Sequence, residues 1–277
     1  MTADSERAVP RHKTRRAVGK TPSTAFRSKM AARQAVWDRL QRERLARFPF
    51  PPHRRIPNFA GAAQAAARLF EQSPWRKARR LKINPDAPQR PVREEALKRG
   101  ISVYVPTPRL RAGFLLLDPS RIPRDKIREA AALSTGRRWG RPVPLNELPQ
   151  MDAIVCGSVA VTANGLRCGK GEGYSDLEYA ALLELGHRPV PVATTVHDVQ
   201  IVGGFPRDRH DLPVSLIVTP AKTLRVLRPP KGPAGIDWKA LTKEDLDRMP
   251  ILKELRARSS HPRRRIPGGQ SIPTRRA

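Results

Sequence analysis

From Asn164 to Tyr179 the chain reads N-G-L-R-C-G-K-G-E-G-Y-S-D-L-E-Y, with glycines alternating at 169, 171 and 173. Without a Cβ, glycine lets the backbone turn sharply and approach a ligand closely, so neighbouring N–H groups can converge on one anion. Arg167 and Lys170 bring positive charge to the same few residues. A helix starting near Asp176 would add the positive end of its dipole. The chemistry on offer is a cradle for a polyphosphate. It is not a Walker A loop, because no Gly-Lys-Ser/Thr follows a four-residue gap, nor is it the dinucleotide fingerprint. The plainer alternative is a flexible glycine turn in which Asp176 only caps the helix.

Other reactive side chains make weaker patterns. His197-Asp198 and His210-Asp211 form two His-Asp pairs, but neither has metal-ligand spacing such as His-x-x-x-His. Cys156 lies in an apolar run and reads as a packed residue. Cys168 sits beside Arg167 and Lys170, whose charge would lower its pKa, yet no histidine partner is nearby. Trp37, Trp75 and Trp139 read as packing residues.

A phosphate loop needs a strand before it and a helix after it. The apolar run Ala153 to Val161 supplies the strand, and Asp176 to Leu185, ended by Gly186, supplies the helix. Upstream, helical spacing covers Ser28 to Arg47, stopped by Pro49, Pro51 and Pro52; Gly61 to Phe70 and Val92 to Lys98 follow. Strand signals fall at Ser102 to Val105, Phe114 to Leu117, Val190 to Val196 and Val214 to Val218. Continuous apolar strands alternating with helices predict an α/β domain over residues 25–225. It would be Rossmann-like, a mostly parallel sheet with helices on both faces. Asp237 to Arg258 holds one short helix at most. Residues 226–277 are expected to be a basic, mostly disordered extension.

The chain has 277 residues and a formal net charge of +29, from 54 Lys and Arg against 25 Asp and Glu. That excess sits at the ends: residues 1–55 carry 15 basic and 4 acidic residues, and residues 221–277 carry 15 and 5. Residues 1–24 and the stretch after Ser259, with Arg263, Arg264, Arg265, Arg275 and Arg276 among Pro, Gly and Ser, have too little apolar surface to offset chain entropy. They are expected to be disordered. Such tails suit nonspecific contact with nucleic-acid phosphates, or are simply solvated. Two cysteines exclude a disulfide scaffold and a four-cysteine zinc site. No apolar run approaches the ~20 residues of a membrane helix, and the N-terminus lacks a hydrophobic signal core. The expectation is a soluble cytoplasmic protein.

The pattern R-x-G-x-G-x-G-Y-x-D from Arg167 resembles the signature of the 5-formyltetrahydrofolate cyclo-ligase family, in which a similar strand, loop and helix hold the phosphates of ATP. Lys29 and Arg33 resemble that family's N-terminal Lys/Arg pair, and H-D-L-P-V-S-L-I-V-T from His210 resembles its closing loop and last strand. The resemblance covers about residues 29–220. I-P-N-F-A-G-A from Ile56 and K-I-N-P-D-A-P-Q-R-P-V-R from Lys82 resemble a divergent, cyclo-ligase-like branch. The resemblance implies an enzyme of one-carbon metabolism that uses ATP and Mg²⁺ to convert 5-formyltetrahydrofolate to 5,10-methenyltetrahydrofolate. It implies ATP contacts from Lys29, Arg33, Arg167, Cys168, Gly169, Lys170, Gly171, Glu172, Gly173, Tyr174, Ser175 and Asp176. Lys29, Arg33 and Lys170 would be catalytic, and Asp176 and Asp211 would serve Mg²⁺. Glu172 stands where many members carry a second basic residue, and Ser175 replaces a second Tyr. The family's folate-contacting Glu has no counterpart in its expected context near Asn84, Asp86 and Gln89. These departures keep a second reading open, a nucleotide- or folate-binding protein on the same scaffold.

Overall fold

The computed structural model describes residues 25–132 and 138–259. The expectations for tails 1–24 and 260–277 lie outside the described residues.

The first helix, α1 (Lys29–Arg42), starts at Ser28, whose hydroxyl accepts the Ala31 N–H at 3.1 Å. Ala32, Val36, Trp37 and Leu40 form its buried stripe. Helical spacing predicted five more residues, but Arg44 turns left-handed at φ 55°. Leu45 N–H then bonds the Leu40 carbonyl and Arg44 N–H the Gln41 carbonyl, a Schellman closure with Arg where Gly is usual. Ala46–Arg47 (β1) instead pairs antiparallel with Asn58–Phe59 (β2).

After α2 (Ala62–Leu69) come β3 (Arg80–Ile83), α3 (Arg90–Lys98), β4 (Ser102–Pro106), β5 (Phe114–Leu117), α4 (Ile127–Ala130), β6 (Gly140–Val143) and β7 (Ala153–Cys156). Then follow β8 (Ala160–Thr162), β9 (Arg167–Cys168), α5 (Tyr174–Glu184), β10 (Val192–Thr195), β11 (Ile201–Val202), β12 (Leu216–Val218) and β13 (Thr223–Arg225). The main sheet runs β13-β12-β10-β7-β3-β4-β5-β6. Its five inner strands, β12 to β4 in that order, are parallel, and antiparallel strands close both edges. A small second sheet has the order β11-β8-β9.

Both faces of the sheet are covered, as the apolar strands required. Ala153 and Val155 of β7 point into one core with α1, α2 and α3; Ile154 and Cys156 point into the other with α5. The second face has a further cover from the C-terminus, α6 (Lys243–Arg248) and α7 (Pro250–Ser259). Met249, Ile251, Leu252 and Leu255 are buried there beside Phe114 and Val143. Val226, Ile236 and the apolar residues from Met249 to Leu255 are thus packed, which corrects the expectation of disorder for this part of the extension. The dense charge around these residues hid a short apolar stripe.

Two further corrections concern β7 and β3. The run Ala153 to Val161 is two strands in two sheets, broken at Gly157-Ser158. A Cβ at Gly157 would lie within 3.0 Å of Ile56, Asp86 and Gln89 atoms, so the chain bends where only glycine fits. Strand β3, R-L-K-I, escaped notice although it is central to the sheet; its Lys82 is almost wholly buried on the α5 face.

Candidate active site

The chain crosses from β3 to β4 on one side and returns to β7 on the other, so strand order reverses between β3 and β7. Ligands of open α/β sheets bind in the crevice beyond the carboxyl ends of strands at such a point. A cavity of about 630 Å³ opens here. Asn84 and Asp86 reach it from the end of β3, Thr107 and Arg109 from the end of β4, and the glycine loop from the end of β9.

The loop is held from beneath. Arg167 is buried, its Nη1 donating to Asp176 Oδ1 at 3.1 Å and its Nε to the Gly157 carbonyl at 3.3 Å. Burial works against the Arg167 charge, but Asp176 outweighs it and holds the guanidinium above its ordinary pKa. Asp176 Oδ1 also accepts the Leu212 N–H at 2.9 Å, tying α5 to the 208–212 loop. Asp176 is therefore no cap. Gly173, left-handed at φ 70°, occupies the N-cap position, and Asp176 lies inside the first turn.

Over the loop stands α1. Arg33 Nε donates to the Gly169 carbonyl at 2.7 Å, and a Cβ on Gly171 would sit 3.5 Å from the Arg33 guanidinium. Gly171 itself has φ 113°, a conformation that L side chains rarely adopt. Lys29 Nζ reaches Asp208 and Asp211 at 2.5 Å each. Burial lowers the Lys29 pKa, yet the bonds and charges of the two carboxylates outweigh it and raise the net value. Lys170 pairs with Glu172 at 2.8 Å. Among the described residues, the N–H groups of Lys170, Gly171, Glu172 and Gly173 meet no acceptor. Four open amide donors and three cations face one space, the arrangement an anion would satisfy.

A buried polar strut joins this loop to the central strand. Lys82 pairs with Glu178 of α5 and donates to Asn84 Oδ1 at 2.7 Å; Asn84 Nδ2 donates to Ser175 Oγ at 2.7 Å. Burial raises the Glu178 pKa against the pull of Lys82. Beside the strut, burial holds the Asp86 carboxyl above the ordinary carboxylate range despite Lys170, Arg93, Lys82 and Arg167. A carboxyl thus stands on the cavity wall where no family glutamate was found. Lys82, Glu178 and Arg109 were missed because a lone Lys in a strand and a Glu in a helix carry no local signal.

Of the other candidates, Cys168, Tyr174 and His210 line the cavity, whereas Cys156 and His197 lie away from it. Cys168 lies on the cavity wall, but its side chain is almost fully buried. Burial pushes its thiol up despite Arg33 and Arg167, the reverse of the expected depression. Cys156 is buried in β7 as expected. His197 accepts the Val199 N–H and caps a short 3₁₀ turn, and His210 lies 3.6 Å from Asp237. Tyr174 lines the cavity while packing against the second core. Among the described residues no group of three His, Cys, Asp or Glu side chains could hold a metal. An ion here would need phosphate or water oxygens; Asp176 Oδ2 meets no donor among the described residues and fits that need. Both oxygens of Asp211 are engaged, one by Lys29 and one by the Asp208 N–H at 2.8 Å.

A mostly parallel sheet with open amides and cations gathered at its switch point defines an α/β protein whose crevice suits an anion. The pattern of the 5-formyltetrahydrofolate cyclo-ligase family matches residues 22–220, and the chain belongs to that family of ligase-type enzymes. It is 42% identical over 238 residues to a mouse methenyltetrahydrofolate synthase domain-containing protein, covering 83% of this chain and 64% of that one. The human protein of the same name is 37% identical, with 83% and 62% covered. The chain thus spans under two thirds of the length of these relatives. Among solved structures, a 5,10-methenyltetrahydrofolate synthetase from Aquifex aeolicus aligns with a TM-score of 0.46 at 17% identity, over 72% of this chain and 95% of that one.

Proposed function

We propose that this chain closes 5-formyltetrahydrofolate to 5,10-methenyltetrahydrofolate with ATP and Mg²⁺. The observation that carries the reading is the row of open N–H groups from Lys170 to Gly173 with the Arg33 guanidinium directly above Gly171. ATP supplies a phosphoryl group to the N5-formyl oxygen, which opens the formyl carbon to attack by N10 and lets phosphate leave as the ring closes. The chain's own work is positioning and charge neutralisation. The loop amides and Lys170 hold phosphate oxygens. Lys29 and Arg33 meet charge that develops during transfer. Arg167, bonded to Asp176 and Gly157, positions the loop and adds its charge to the same cavity. Asp176 would hold Mg²⁺ through its open oxygen, while Asp211 orients Lys29 and acts on the ion through water. Asp86 faces the substrate half of the cavity and can hydrogen-bond a polar ring atom.

Glu172 supports the second reading, because its pair with Lys170 removes positive charge from the loop. On that reading the chain binds nucleotide or folate without turnover. A folate substrate fits cytoplasmic residence, and no helix among the described residues is long and apolar enough to cross a membrane. The assay is purified protein with Mg-ATP and 5-formyltetrahydrofolate, followed by the absorbance of the methenyl product. Growth of that absorbance only when ATP and Mg²⁺ are both present supports the enzyme. Bound Mg-ATP with no methenyl product overturns it in favour of the binding protein.

A further inference from the structure

The family pattern ends at residue 220, yet the cavity does not. Pro233, Gly235, Ile236, Asp237, Ala240 and Leu241 form one of its walls. This wall is built rather than draped. Glu184, at the end of α5, accepts the Ile236 N–H at 3.4 Å and the Trp238 Nε1–H at 3.3 Å. Asp237 pairs with Arg209 and stands 3.6 Å from His210, so the wall is fixed to the 207–211 loop that also holds Lys29. Ile236 is buried in the same core as Leu110 of the 107–113 loop, which also reaches the cavity.

That loop carries two exposed cations, Arg109 and Arg111, of which Arg109 lines the cavity. Arg109 and Leu110 are both left-handed, at φ 56° and 49°, conformations that neither side chain favours. Leu110 is buried beneath, while Arg109 is exposed at the cavity mouth. Thr107 braces the turn, its hydroxyl donating to the Gly113 carbonyl at 2.9 Å and accepting the Ala112 N–H at 3.1 Å. Among the described residues Arg109 has no acidic or carbonyl partner, unlike Arg33, Arg167 and Arg209. The apolar part of that wall and an open guanidinium on the same cavity suit a flat aryl group whose chain ends in a carboxylate.

We propose that residues 233–241 and Arg109 form a second subsite that takes the aminobenzoyl-glutamate end of the substrate, the ring on the segment and a glutamate carboxylate on Arg109, and sets specificity for that end. This rests on the folate reading above, in which the glycine loop takes the phosphates. This second subsite explains how a chain without the expected folate glutamate still encloses the non-phosphate half of its ligand.

Calorimetry on the full chain tests it with three ligands: Mg-ATP, 5-formyltetrahydrofolate and 5-formyltetrahydropteroate, which lacks the glutamate and ends in a carboxylate on the ring, short of the reach of a glutamate carboxylate. Wild type is expected to prefer the glutamate-bearing compound at least about tenfold, on the scale of one charge-assisted bond. Arg109→Ala should abolish that preference and leave the Mg-ATP affinity within about twofold. Ala240→Trp, at an exposed wall position that the core does not need, should weaken both folates by about tenfold or more and spare Mg-ATP. Retained preference in Arg109→Ala, or unchanged folate binding in Ala240→Trp, overturns the subsite alone. A wild type that binds neither folate overturns the folate reading and the subsite with it.

Discussion

The glycine-loop half of the cavity and its substrate half are assembled by different routes. The first is mostly local: ten residues from Arg167 to Asp176 bring the amides, the bracing arginine and its carboxylate, and α1 adds two cations from above. The second joins residues 84–86, 107–109 and 233–241, which meet only because β3, β4 and the cover of the second face end at one edge. Spacing along a sequence encodes the first kind of site. Only the assembled sheet creates the second.

The strongest way to break this contrast is to remove what both halves share. Lys82 lies beneath them, its ammonium paired with Glu178 of α5 and bonded to Asn84 at the end of β3. Lys82→Met should cost ~3–5 kcal/mol in urea unfolding, because it strands a buried carboxylate. The double variant Lys82→Met/Glu178→Leu should regain most of that loss. If the single variant costs nothing, the strut does not hold the halves together.

Arg33→Ala isolates the first half. It removes a cation over the loop and one bond to Gly169, and turnover should fall roughly 10²–10³-fold. The melting temperature should barely move, since the buried stripe of α1 stays intact. Equal losses of stability and activity would recast Arg33 as a packing residue. Gly171→Val should be milder, lowering Mg-ATP affinity about tenfold through backbone strain of ~1–3 kcal/mol. Gly171 is exposed, so folate binding and the fold should persist. Unchanged nucleotide affinity would remove the amide cradle.

The smallest effect belongs to Asp86, in the substrate half. Burial raises its folded pKa, so between the ordinary value and the raised one the native state holds more protons than the unfolded state. Stability must then fall as pH rises through that window. Asp86→Asn, which cannot ionise, should flatten this decline in a series of melting curves from pH 4 upward. A parallel decline in variant and wild type would assign it to another group.

These contrasts also explain what the sequence could show. Most helices and parallel strands were legible because apolar spacing and glycine stops survive translation into structure, as in α2 and β4. The end of α1 was not, since Arg44 performs a turn that Gly normally signals. Strand β3 was hidden by Lys82, whose charge reads as solvent-facing until Glu178 comes to meet it. The break after Cys156 was hidden because both pieces are buried in different sheets. For the site, Lys29, Arg33 and the loop were legible together, as was the closing loop around Asp211. Arg109, Asp86 and the wall at 233–241 were not, because nothing in their local sequence tells which strand ends lie together.

The central claim is that phosphoryl transfer on the glycine loop drives ring closure in the adjoining half. Its most direct measurement is stoichiometry in wild type: ADP released and methenyl product formed from 5-formyltetrahydrofolate and Mg-ATP, followed in one reaction. One ADP for each methenyl group, with neither formed when the other substrate is withheld, is the expected result. ADP release without methenyl product, or methenyl product without ATP, would contradict it.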